Sequence, residues 1–88
     1  MIRKHIVFRG MVQGVGFRYN ARYAANLYGC TGWARNEYDG SVTMEIQGTG
    51  AGIDQVILAL ERGTFVRIDS MDSATIPIKT DERGFRTG

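Results

Sequence analysis

The sequence predicts an α+β fold, a ferredoxin-like βαββαβ sandwich in which an antiparallel sheet carries two helices on one face, with a possible extra C-terminal edge strand. Three observations carry this. Two stretches, Phe17 to Tyr28 and Gly52 to Arg62, place apolar residues at helical spacing. Short β-branched and aromatic runs stand before, between and after them. Between the two central runs lies Asp39-Gly40, a pair suited to the positive φ angles of a tight hairpin.

Taken in order, Ile6, Val7 and Phe8 mark a first strand from Arg3 to Arg9 that stops at Gly10. Phe17, Ala21, Ala24 and Tyr28, at intervals of four, three and four, form the inner face of a first helix, with Gly29 placed to cap its end. Thr31 to Asn36 and Ser41 to Gln47 are strands two and three. In the third, Val42, Met44 and Ile46 alternate with Ser41, Thr43, Glu45 and Gln47, so one face is expected in the core and the other in water. After a flexible GTGAG segment, Ile53, Val56, Ile57 and Leu60 mark a second helix ending before Gly63. Phe65, Val66 and Ile68 suggest strand four, and Ile76, Ile78 and Phe85 an edge strand beyond a turn at Asp81 to Gly84.

Eighty-eight residues, 43% of them hydrophobic, suit one domain over residues 1–88 with a core that needs no staples. Eleven basic against nine acidic residues leave a charge of +2, too mild to argue for nucleic acid but suited to a small anion if a few cations converge. Cys30 and His5 are the only residues of their types, too few for a soft-metal carrier, and a lone cysteine suits a reducing compartment. No apolar run reaches the length of a signal-peptide core or membrane span. The expectation is a cytoplasmic protein without membrane contact, without metal or other cofactor, and monomeric, although exposed edge strands leave dimerisation open.

Gly10, Gly14 and Gly16 fall within seven residues between strand one and helix one. Several backbone N–H groups can turn inward there to form an anion nest, unless the glycines serve only a tight turn. The helix that follows aims its free N–H groups and the positive end of its dipole at the same place. Arg18 in the first helical turn lies at the end unfavourable to a cation, a position that makes sense if an anion is bound, and its planar fork matches two phosphoryl oxygens. Asn36 closes strand two. Its carboxamide can both donate to and accept from a water molecule, but asparagine is also common at strand ends for conformational reasons.

VQGVGFR at Val12 to Arg18 and GWARN at Gly32 to Asn36, followed by Asp39-Gly40, resemble the two signature segments of the acylphosphatase family. The likeness is strongest over the first half of the chain and fades after Gly48. It implies an enzyme that hydrolyses the carboxyl-phosphate bond of a small-molecule acyl phosphate, giving a carboxylate and inorganic phosphate without a metal. It implies that Arg18 binds the phosphate, that Asn36 orients the attacking water, and that the amides of Gln13, Gly14, Val15, Gly16 and Phe17 form the cradle. The family commonly has valine at the place of Ala34 and Gly-Pro at the place of Gly63-Thr64.

Two rivals share the topology. An RNA-binding domain would need aromatics on the open face of the central strands, where Ser41, Thr43, Glu45 and Gln47 stand instead. A noncatalytic or accessory acylphosphatase-like domain of a carbamoyl-transfer hydrogenase maturation protein would share the motifs and differ in the length of the whole protein.

Overall fold

The computed structural model describes residues 1–88. The elements are β1 (Ile2–Met11), α1 (Phe17–Leu27), β2 (Thr31–Asn36), β3 (Val42–Gly48), α2 (Gly50–Glu61), β4 (Arg67–Ile76) and β5 (Phe85–Thr87). They form one five-stranded sheet in the order β4-β1-β3-β2-β5. The first four strands pair antiparallel, and β5 joins the β2 edge in parallel, so the expected βαββαβ order holds while the extra strand makes the sheet mixed.

The core lies between one sheet face and the helices. Ile6 and Phe8 of β1, Ala34 of β2, Val42, Met44 and Ile46 of β3 and Phe85 of β5 meet Phe17, Ala21, Ala24 and Ala25 of α1 and Ile53, Val56 and Leu60 of α2. Each large member contributes about 1.5–3 kcal/mol by leaving water. Three alanines give α1 a short-side-chained inner face that admits close neighbours. Tyr28, expected on that face, follows the helix as its C-cap and is 40% exposed, and Ala25 takes its place in the core.

Several boundaries differ from the expectation for local reasons. Gly10 does not end β1. The strand continues to Met11 through a register shift against β4, and Gly10 has φ 126° there, at a point where a Cβ would lie 2.2 Å from the Arg67 carbonyl oxygen, so only glycine fits. The GTGAG stretch is largely structured: Thr49 caps α2 by accepting a hydrogen bond from the Gly52 amide at 3.0 Å, and the helix starts at Gly50. Phe65 and Val66 precede β4 instead of opening it. The Val66 amide donates to the Gly63 carbonyl, closing a turn whose third residue, Phe65, has φ 67° and a ring turned out to solvent. Ile76 ends β4, and Ile78 lies in the connection to β5.

The second sheet face is less open than alternation in β3 suggests. Ser41, Thr43 and Gln47 are 4, 7 and 6% exposed. The connection from β4 to β5 must pass from one sheet edge to the other, and it does so across this face. The Gln47 carboxamide bonds the Lys79 backbone twice, at 2.7 and 2.8 Å. Arg3, fully buried, forks onto Glu82 at 2.7 and 3.0 Å while its Nε donates to Glu45 at 3.0 Å. At the opposite end of β3, Ser41 turns inward to the Asp39 carboxylate. No helix is long and apolar enough to cross a membrane.

Candidate active site

The connection between β1 and α1 is pinned at both ends. Val12 and Phe17 are 1 and 2% exposed, and the Phe17 ring meets Phe8 edge to face at 5.0 Å. Between these anchors Gly14 and Gly16 take φ 72° and 76°, the left-handed turns that bring successive amides to one side. Gly16 is also the N-cap of α1. No side chain caps this end and no acidic residue lies in the first turn, so the leading N–H groups and the positive end of the helix dipole remain free for an external anion.

These groups border a cavity of about 170 Å³ lined by Val12, Gly14, Gly16, Phe17, Arg18, Tyr19 and Asn36. That is the space of about five or six water molecules, enough for a phosphoryl group. Arg18 is half-buried at its edge, and its Nη1 donates to the Gly88 main-chain oxygen at 2.5 Å. The guanidinium is thereby tethered beyond β5 through one N–H while its other donors stay available, and it faces no side-chain carboxylate. Arg35 is committed elsewhere: its Nε donates to Glu37 at 2.7 Å, and its guanidinium lies 5.1 Å from the Trp33 ring centroid.

Asn36, the last residue of β2, is exposed and borders two spaces. One is the glycine-lined cavity. The other is a wider polar cleft of about 630 Å³ formed with Gln13, Arg35, Glu37 and Tyr38. The hairpin behind it is closed by the Glu37 amide on the Ser41 carbonyl at 2.9 Å and by Asp39, which accepts from the Ser41 hydroxyl at 2.6 Å and amide at 2.9 Å. Those bonds, the hydroxyl's first, hold the exposed Asp39 carboxyl below its ordinary pKa.

Sequence-expected residues are thus brought together unequally. Arg18, Asn36, Gly14, Gly16 and Phe17 share one cavity wall. Val15 is half-buried and packs against the core, outside that wall. The side chain of Gln13 turns away toward the hairpin, with its Nε2 bonded to the Glu37 and Ser41 carbonyls. Val12 and Tyr19 border the cavity without having been singled out. Their positions flanking the loop and Arg18 were the available signal. His5 lies within β1 and pairs with Glu45 at 3.1 Å, and nowhere do three His, Cys, Asp or Glu side chains converge. Burial raises the pKa of the Cys30 thiol, as suits a core residue.

Comparison with known proteins places the chain by sequence and by fold. Residues 4–87 match the sequence model of the acylphosphatase family. The chain is 40% identical over 88 residues to an acylphosphatase of Clostridium perfringens (strain SM101 / Type A), covering 99% of each. It is 38% identical over 87 residues to one of Geobacillus kaustophilus (strain HTA426), covering 98% of this chain and 93% of the relative. Among solved structures, the acylphosphatase of Bacillus subtilis superposes with a TM-score of 0.91 at 26% identity, covering 100% of this chain and 99% of that one. HypF of T. kodakarensis superposes with a TM-score of 0.84 at 28% identity over 100% of this chain, which corresponds to 12% of HypF.

Proposed function

Because this chain belongs to the acylphosphatase family, it is an enzyme that hydrolyses acyl phosphates, and we propose that the glycine loop and Arg18 hold the phosphoryl group while Asn36 positions the water. The observation that carries the proposal is the shared cavity, in which free helix-terminal amides, the donors of Arg18 not used on Gly88 and the carboxamide of Asn36 border one space. Phosphoryl transfer needs charge neutralised on the equatorial oxygens and a nucleophile held in line with the leaving group. The loop amides, those of Gln13 to Phe17, together with the helix dipole and Arg18 supply the first. Asn36 supplies the second, drawing water from the cleft on its other side. In-line geometry then directs the acyl group away from Asn36. A carboxylate leaves readily, so the site can work without a general acid. Solvent water serves as nucleophile, and the products are a carboxylate and inorganic phosphate.

A small acyl phosphate is the only partner this mechanism requires. It needs no metal, no nucleic acid and no second copy of the chain, and a monomer in a reducing, cytoplasmic setting fits the lone buried cysteine. The likeness to part of HypF favours a second reading, an accessory domain of a carbamoyl-transfer protein, which predicts a folded chain without hydrolytic turnover.

Phosphate release from benzoyl phosphate, measured with a chelator present, separates the two. The parent should turn over unimpaired by the chelator. Arg18→Gln should lose roughly 10²–10³ in kcat/KM, and Asn36→Ala a comparable factor mainly in kcat. Parent-level activity in either variant would remove that residue from its role, and an inactive parent would favour the accessory reading.

A further inference from the structure

Gln13 spends both hydrogens of its side-chain amide on the β2–β3 hairpin, donating from Nε2 to the Glu37 and Ser41 carbonyl oxygens at 2.8 Å each. The amide orientation follows from chemistry, since two carbonyls can face an NH₂ group but not a carboxamide oxygen. Glu37 directly follows Asn36, and Ser41 directly precedes Val42, the register partner of Asn36. Gln13 therefore grips both strands of the hairpin one residue beyond the Asn36–Val42 pair, on its tip side. No other side-chain hydrogen bond in the molecule joins the loop to this hairpin. The gripped unit is itself stiff, because Ser41 O also accepts from the Glu37 amide, Glu37 O from the Gly40 amide at 3.2 Å, and Asp39 ties the tip.

We infer that Gln13 is a positioning residue that acts through Asn36, setting the distance between the water-holding carboxamide and the phosphate cradle. This rests on the reading of Asn36 given above. The cradle stands between β1 and α1, whereas Asn36 stands on β2, 23 residues beyond Gln13; Gln13 ties the two together directly at the site. Phosphate binding by loop amides and Arg18 survives a small shift of the hairpin. In-line attack does not, because a displacement of about 1 Å costs roughly 10²-fold in rate.

The test is a double-mutant cycle. Gln13→Glu keeps the shape of the side chain but sets a carboxylate against two carbonyl oxygens. It should lower kcat on benzoyl phosphate roughly 10–100-fold while the inhibition constant of inorganic phosphate stays within about twofold of the parent. In the Asn36→Ala background the same substitution should cost less than about threefold, because the group it positions is gone. Gln13→Met, of similar length but without donors, carries the same expectations and serves if the glutamate variant does not unfold cooperatively. Retained kcat, an inhibition constant that rises in step with the loss of kcat, or a full multiplicative loss in the Asn36→Ala background would each overturn the inference. An unimpaired Asn36→Ala would overturn the reading of Asn36, and the inference with it. An impaired Asn36→Ala beside an unimpaired Gln13→Glu overturns the inference alone.

Discussion

Gly16 joins two requirements in one residue. It is the N-cap of α1 in the left-handed region, with φ 76° and ψ 15°, and it borders the cavity. A Cβ there would meet nothing within 4 Å, so the penalty for Gly16→Ala is conformational and not steric. Holding alanine in this region costs about 1–2 kcal/mol, of which the lost glycine freedom of the unfolded chain returns about 0.5–1, leaving a net loss of roughly 0.5–1 kcal/mol. The variant should unfold at lower urea by that amount, and inorganic phosphate should inhibit it more weakly as the loop relaxes. An unchanged urea midpoint would show that the loop tolerates another backbone path. Arg18 illustrates the same economy. One N–H anchors it to Gly88, and the fork it keeps free is the part suited to two phosphoryl oxygens.

Among the elements, the turn from α2 to β4 is the one whose residue contradicts its geometry. Phe65 sits at φ 67° with its ring 79% exposed, so it carries left-handed strain and buries little in return. Removing strain of about 1–2 kcal/mol and adding about 0.5–1 kcal/mol of glycine backbone entropy leaves Phe65→Gly stabilised by roughly 0.5–1 kcal/mol. A rise in the urea midpoint with the slope unchanged would confirm this, and a fall would mean that the exposed ring packs in a way its accessibility conceals. The turn lies away from the loop and the β2–β3 hairpin in sequence, so turnover should not change.

For the molecule as a whole, the crossing of the far sheet face by residues 77–84 has an electrostatic consequence. Burial alone would raise the pKa of Glu82 and Glu45, but hydrogen bonds from Arg3 to both, and from His5 to Glu45, outweigh it and hold both carboxyls below their ordinary value. A carboxyl with a depressed folded pKa stabilises the fold above its unfolded pKa, and that contribution disappears as pH falls through the folded one. Stability should therefore hold from neutrality toward pH 5 and decline below about 4.3, the ordinary glutamate value. Glu82→Gln leaves the buried Arg3 with Glu45 as its remaining carboxylate. It should cost about 3 kcal/mol at neutral pH and make the acid decline shallower. Urea midpoints across pH 3–7 measure both effects, and parallel curves for parent and variant would show that the pair does not drive the decline.

The sequence by itself determined both helices, the central hairpin and the buried face of β3, because these rest on period and turn chemistry contained within a few neighbouring residues. It also marked the glycine loop, Arg18 and Asn36, whose residue types are legible wherever they fold. Tertiary structure alone decided what those groups face. That Asn36 borders the cradle cavity, that Arg18 is tethered to Gly88 and that the Gln13 side chain serves the hairpin all depend on residues 17 to 70 positions apart coming together. The same holds for the closed second face of β3, where alternation promised water. Local pattern records which residues avoid water. It does not record which distant segment arrives to cover the polar ones, and here Lys79 and Glu82 do so through bonds to Gln47 and Arg3.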